Sequence, residues 1–189
     1  MPLLLETDRL IIREYTPEDT AHHHRVAVEC FDSKGGIGAS QAWMEWAVRN
    51  YRQLESLGQP PYGDYVIALY ATGEPVGAVG LVPSVIPWHV LRDTPPTGGD
   101  LLVQPEFGLY WAVLPEHQRR GIASEAAERL IDFVFQGIGA RRVVATTEHD
   151  NARSQATMRK VGMTLYRNRW GQPFWCEVVG VRQNPAWEG

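Results

Sequence analysis

The stretch Gln118-Arg119-Arg120-Gly121-Ile122-Ala123 separates two different periodicities. Before it, residues 106–113 read as a strand. After it, Ile122, Ala126, Leu130 and Val134 recur at helical spacing, which predicts a helix over 121–135. A helix start exposes unpaired N–H groups and the positive end of the helix dipole, so a strand–turn–helix junction is suited to phosphate. Gly121 lets the backbone approach an anion without a Cβ in the way, and Ala123 is small for the same reason. Arg119 and Arg120 add positive charge. The hexapeptide is neither GxGxxG nor a P-loop, so dinucleotide and nucleoside triphosphate readings lose ground. A glycine at a helix start also serves as a plain turn, so the surroundings decide.

Working outward, residues 9–15 read as a first strand, and Thr16-Pro17-Glu18-Asp19 as a helix start with Thr16 as N-cap and Pro17 in first position. That helix is predicted to reach about Cys30. Ser40 is placed as the cap of a second helix ending near Leu57-Gly58, with Trp43, Trp46 or Ala47, Tyr51 and Leu54 at helical spacing. Residues 65–70 and 76–81 predict a hairpin around Thr72-Gly73-Glu74, followed by an extended Pro- and Gly-rich loop over 83–105. Beyond the second turn, 142–147 predicts a strand and 151–161 a helix stopped by Gly162. Residues 166–169 and 174–180 then predict two strands around Gly171-Gln172. The order β-α-α-β-β-β-α-β-α-β-β implies a mixed sheet with helices on its faces.

The chain of 189 residues fits one domain. A domain of that size buries about 70% of its unfolded surface and needs no metal or disulfide staple. Eighteen Lys and Arg against 22 Asp and Glu give a net charge of −4, which argues against a nucleic-acid binder relying on phosphate neutralisation. The first residues lack a basic stretch followed by an apolar run, and nothing approaches a membrane-spanning run, so a soluble cytoplasmic protein is expected. Cys30 and Cys176 offer no CxxC spacing and are expected as buried small apolar groups. His22, His23 and His24 are consecutive and point about 100° apart on a helix, so no metal site is expected. Trp43 and Trp46 are expected in the core, and Trp88, in the long loop, as a contact for substrate.

In this order, the hexapeptide resembles the acetyl-CoA pyrophosphate motif of the GCN5-related N-acetyltransferase (GNAT) family. The opening Leu5-Glu6-Thr7-Asp8-Arg9-Leu10-Ile11-Ile12-Arg13 is similar to the start of its ribosomal-protein N-terminal acetyltransferase-like branch. So is Asn151-Ala152-Arg153-Ser154 followed by Lys160-Val161-Gly162-Met163, with Met163 replacing the usual aromatic. The resemblance implies an α/β (α+β) GNAT-like fold: a mixed, mostly antiparallel central sheet of about seven strands flanked by about four helices, in a single domain over 1–189. It implies acetyl-CoA as donor and a primary amine as acceptor, a protein N-terminus first and a small amine as the alternative. A non-catalytic acyl-CoA sensor is the competing class, and a homodimer is a candidate assembly. Gln118 and the amides of Arg119, Arg120, Gly121, Ile122 and Ala123 would hold the pyrophosphate. The backbone of Trp111, Ala112 and Val113 would pair with pantetheine. Asn151 would hydrogen-bond the pantetheine, a role open beside that of helix N-cap. Ser154 would lie near the thioester sulfur.

An amine must be neutral to attack a thioester, while such amines titrate near pKa ~8–10, so a base is expected. By strand alternation Phe107, Leu109, Trp111 and Val113 read as a core face, and Glu106, Gly108, Tyr110 and Ala112 as the face towards substrate. Glu106 is the candidate base, acting through water, and Tyr110 would orient the amine. Backbone N–H groups around Val113 would hold the oxyanion. Where many relatives carry a tyrosine as leaving-group acid, this chain has Met158, and Ser154 is the substitute hydroxyl.

Overall fold

Eight strands and four α-helices follow one another: β1 (Leu4–Glu6), β2 (Leu10–Glu14), α1 (Thr20–Phe31), α2 (Ile37–Ser56), β3 (Gly63–Leu69), β4 (Pro75–Ile86), β5 (Gln104–Val113), α3 (Ile122–Asp132), β6 (Arg142–Thr147), α4 (Ala152–Lys160), β7 (Thr164–Arg167) and β8 (Val178–Gln183). The computed structural model describes residues 2–92 and 103–187, and these counts are of those residues. The strands form one mixed sheet in the order β1-β2-β3-β4-β5-β6-β8-β7. β5 and β6 run parallel, while the β1–β2, β2–β3, β3–β4, β6–β8 and β7–β8 pairs are antiparallel. The expected mixed, mostly antiparallel class holds, with one strand more than expected because residues 4–6 pair back on β2. No helix among the described residues is long and apolar enough to cross a membrane.

The chain forms two compact units, residues 1–82 with 110–130 and residues 83–109 with 131–189. In the first, β1 to β4 make an antiparallel meander whose register places Leu10 opposite Leu69 and Asp64 opposite Gly80. Tyr65, Val66, Ile67 and Ala68 are buried in succession, so β3 is covered on both faces. A 3-10 turn at Pro17–Asp19 precedes α1, and Asp19 closes it by accepting from the Thr16 amide at 2.9 Å. Arg13 grips the same carboxylate with both terminal nitrogens, at 2.7 and 2.8 Å. Burial opposes ionisation of Asp19, but the bonds from Arg13 and Thr16 prevail and hold its carboxyl below the usual range. The cap of α2 is Gly36, correcting Ser40, which lies inside the helix and is buried. Its buried stripe is Ser40, Met44, Ala47 and Tyr51, leaving Trp46 57% exposed where a core side chain was expected.

In the second unit β6 pairs with β8 along its whole length, from Arg142↔Gln183 to Thr147↔Val178. Ile86, Val90, Val144, Cys176, Val179 and Val181 form its apolar cluster. The extended loop expected over 83–105 is corrected at both ends. β4 continues to Ile86, a 3-10 turn follows at Trp88–Leu91, and β5 already begins at Gln104; residues 93–102 of that expectation lie outside the described ones. The last two strands are also shifted: β7 starts at Thr164 and β8 at Val178, and Phe174, expected in a strand, is 75% exposed. The α3 stripe is as expected, with Ile122, Ala126, Leu130 and Val134 buried. Burying a leucine such as Leu130 stabilises by roughly 2–3 kcal/mol.

Candidate functional site

In the first unit, β5 leaves through a single 3-10 turn at Pro115–His117 into the turn that starts α3. Gln118 does not point outward. Its side-chain Nε2 donates to the Val113 carbonyl at 2.9 Å, so it buttresses the turn. Arg119 takes a left-handed φ of 61° and Gly121 one of 79°. Left-handed residues at such close spacing rotate successive N–H groups towards one side, the geometry of an anion nest. Arg119 has a Cβ, so its conformation costs roughly 1–2 kcal/mol, a strain that clusters at ligand-gripping loops. Among the described residues no acceptor takes a hydrogen bond from the main-chain amides of Arg119 to Ser124; the first amide of this stretch to be satisfied is that of Glu125, on the Gly121 carbonyl at 3.0 Å. The side chains of Arg119 and Arg120 are exposed. Six unpaired donors and two guanidinium groups therefore gather at one helix start.

What holds this turn comes from the opening motif. Arg9 donates to the Arg120 carbonyl at 3.2 Å and to Glu125 Oε2 at 2.8 Å, while Thr7 Oγ1 donates to Glu125 Oε1 at 2.5 Å. Arg129 reaches the Glu6 carbonyl at 3.0 Å. Partial burial opposes ionisation of Glu125, yet the donors Thr7 and Arg9 hold its carboxyl below the usual range. The sequence marks Thr7 and Arg9 as part of a motif without revealing that they clamp the first turn of α3.

Ala112 and Val113 are buried and Trp111 is half-buried, so the face assigned to the core is not uniformly so. Behind this stretch β4 approaches closely: a Cβ on Gly77 would lie 2.3 Å from the Ala112 carbonyl oxygen. The Val113 carbonyl is already engaged, accepting from Gln118 at 2.9 Å and from the Cys30 thiol at 3.5 Å.

Tyr110, on the same strand, serves an arrangement that the sequence did not disclose. Its phenol donates to the side chain of Asp64 on β3. The ring crosses β4 at Gly80, the residue opposite Asp64, and a Cβ there would fall 1.9 Å from Tyr110 Cε1. Asp64, Gly80 and Tyr110 thus make one row across three neighbouring strands. Asp64 and Tyr110 border a cavity of 280 Å³ whose walls include the rings of Tyr15, His23 and Phe31. Phe31 packs edge-on against Tyr110 at 5.9 Å, and His23 stacks on Trp43 at 3.9 Å. Burial pushes the Asp64 carboxyl above its usual range, partly offset by the Tyr110 hydrogen bond. Burial brings His23 down to about 4, so its ring is neutral at pH 7. The signal for Asp64 was a carboxylate within the otherwise apolar 63–69 run. His22 instead bonds the Gly77 carbonyl at 2.9 Å, and His24 lies 3.4 Å from Ser40 Oγ.

In the second unit Glu106 is a buried ion-pair partner. Arg142 Nε donates to its Oε2 at 2.9 Å, Arg142 Nη2 to its Oε1, and Trp88 Nε1 to Oε1 at 3.1 Å. The guanidinium also lies 4.3 Å from the Trp88 ring centroid. Both carboxylate oxygens of Glu106, the residue expected to act as base through water, thus accept from Trp88 or Arg142. Trp88 likewise belongs to this cluster rather than to a substrate surface. Asn151 is the N-cap of α4, its Oδ1 accepting from the Ser154 amide at 3.0 Å while its Nδ2 reaches Glu148 at 3.4 Å. The Ser154 hydroxyl makes no hydrogen bond among the described residues. Met158 and Met163 are both buried. A Cβ on Gly180 would come within 3.0 Å of either sulfur, so their flexible chains fill a space shaped by β8.

Residues 9–164 match the family model described as the acetyltransferase (GNAT) domain. The chain therefore belongs to the GNAT family of N-acetyltransferases, which take their acetyl group from acetyl-CoA. It is 27% identical over 192 residues to the uncharacterized N-acetyltransferase YoaA of Bacillus subtilis (strain 168), covering 94% of this chain and 96% of YoaA. It is 32% identical over 79 residues to YnaD of the same organism, a match spanning 39% of this chain and only 46% of YnaD's own length. The fold is similar to RimL, a ribosomal L7/L12 alpha-N-protein acetyltransferase solved with coenzyme A, with a TM-score of 0.67, 15% identity and coverage of 97% and 99% of the two chains.

Proposed function

We propose that the chain acetylates a primary amine by direct attack on the acetyl-CoA thioester, with the diphosphate resting on the amides of Arg119 to Ser124. The observation that carries this reading is that run of unpaired amides beside two exposed guanidinium groups. Trp111, Ala112 and Val113 would offer their backbone to the pantetheine arm, and N–H groups near Val113 would receive the oxyanion. Asn151 and Ser154 keep their proposed contacts with pantetheine and sulfur. The Asn151 amide retains one N–H and its oxygen one lone pair beyond the cap, and among the described residues the Ser154 hydroxyl makes no hydrogen bond.

The attack forms the amide C–N bond and breaks the C–S bond; one proton of the ammonium goes to a base and a second reaches the departing thiolate. The acceptor favoured by the opening motif and the Asn-x-x-Ser stretch is a protein N-terminus. A small free amine is the second reading, favoured by a 280 Å³ cavity lined in part by aromatic rings. The test is release of free thiol from acetyl-CoA against a panel of peptides and small amines. Turnover with any member supports an enzyme; coenzyme A binding with no turnover across the panel supports the sensor instead.

A further inference from the structure

We propose that Asp64, held by Tyr110 across Gly80, is the group that receives the acceptor's ammonium and takes its proton, within a cavity that admits a primary amine borne on an uncharged, compact apolar group. This rests on the acetyltransferase reading and names the acceptor chemistry of that reading.

Three observations carry it. First, Asp64 is the acidic residue among the described residues that line the cavity, the others being aromatic and aliphatic side chains with His23, and no described lysine or arginine borders it. Its carboxyl bonds Tyr110, and no cationic side chain among the described residues pairs with it. A partly buried carboxylate with one neutral donor is a strong electrostatic address for a cation. The rings of Tyr15, Phe31 and Tyr110 add faces that favour an ammonium and its apolar substituent. Second, the row is built at evident cost to sequence freedom: only glycine at position 80 lets the Tyr110 ring pass over β4 to Asp64. Third, Tyr110 immediately precedes Trp111, Ala112 and Val113, the stretch assigned to the pantetheine, so the amine would be delivered beside the strand that carries the thioester.

The lining also states what is refused. A second negative charge on the acceptor would find no cationic partner in the cavity, so free amino acids and phosphorylated amines are poor fits. One chemistry remains with two sources, a free monocationic amine or the first residue of a peptide. Before attack the ammonium gives one proton to Asp64. The neutral nitrogen then adds to the thioester carbonyl, the C–S bond breaks, and the remaining ammonium proton passes to the thiolate; Asp64 returns its proton to water. Elevation of the carboxyl by burial brings it nearer to the amine it must deprotonate.

The experiment measures calorimetric binding and turnover with 2-phenylethylamine, its N-acetyl derivative, phenylalanine, and a short peptide amide with an N-terminal alanine. It compares wild type, Asp64→Asn and Tyr110→Phe. The expected result is that at least one of 2-phenylethylamine and the peptide binds and is acetylated, while the neutral amide and the zwitterion bind at least 10-fold more weakly. Which of the two is used identifies the source. Asp64→Asn should lower kcat/KM and ammonium affinity by at least 10-fold, leave coenzyme A affinity unchanged and not lower Tm. Tyr110→Phe should give a smaller loss, mostly in kcat. If neither ammonium binds wild type, or if Asp64→Asn binds and turns over the amine as well as wild type, the proposal is overturned. Loss of coenzyme A binding in wild type would instead sink the acetyl-CoA reading, and ammonium binding measured without coenzyme A would still judge the Asp64 assignment.

Discussion

Replacing Gly121 separates the backbone conformation it contributes from the uncharged approach to phosphate proposed for it. Its φ of 79° exists in the free protein, so any L side chain there strains the fold whether or not coenzyme A is bound. Gly121→Ala should therefore destabilise by roughly 1–2 kcal/mol, a fall in Tm of about 2–8 °C for a chain of this size. Coenzyme A affinity should change by no more than about 3-fold, since the strain largely cancels between free and bound states. Gly121→Asp carries comparable backbone strain and adds one negative charge. At about 5 Å from a phosphate charge, the repulsion is about 0.8 kcal/mol in bulk-water dielectric and about 3.3 kcal/mol at an effective dielectric of 20. That corresponds to a loss of affinity of roughly 4- to 300-fold, shrinking as salt is raised. Calorimetric titration of both variants at two salt concentrations, with melting curves alongside, makes the comparison. Equal affinities for the Ala and Asp variants would refute an anion at this turn, whatever happened to Tm.

Glu106→Gln should cost stability, about 2–4 kcal/mol in urea, because it strips a buried guanidinium of its carboxylate; a pH profile of kcat/KM shaped like wild type is expected, and a selective loss at low pH would restore Glu106 as the base. Asn151→Ala removes the α4 cap and should cost about 1 kcal/mol, read as a small fall in Tm; a larger fall in coenzyme A affinity than in stability would add the pantetheine contact. Gly80→Ala should push the Tyr110 ring away from Asp64 and reduce turnover while coenzyme A still binds. Burial depresses His22 and His23, the latter to about 4, so the unfolded chain binds these protons first and stability should decline as pH falls from about 6.5 towards 4. His23→Gln should flatten that decline, and an unchanged slope would show that His23 does not contribute to it.

Legibility in the sequence followed the range of the interactions. The α3 stripe, β6, the start of α1 and the N-cap role of Asn151 are local: period, cap residues and turn chemistry suffice to read them. Failures arose where partners distant in sequence decide. Residues 4–6 become a strand only because β2 lies beside them, and β4 runs on to Ile86 through Pro83 because it is built into the sheet. Ser40 looks like a cap by type, but α2 already starts at Ile37, with Gly36 as its cap. The turn at 118–123 was visible as a motif, whereas its clamp by Thr7 and Arg9 joins residues more than 110 positions apart. The ion pair of Glu106 was not legible because Arg142 is 36 residues away, nor was the bond of Asp64, which depends on a tyrosine two strands across.

Nuclear magnetic resonance of the backbone amides during coenzyme A titration is the most direct examination of the turn. The N–H signals of Arg119 to Ser124 should move downfield together and exchange more slowly with solvent, as expected of donors acquiring phosphate oxygens. If those six signals stay in place while coenzyme A saturates the protein, the diphosphate lies elsewhere and the assignment of this turn is wrong.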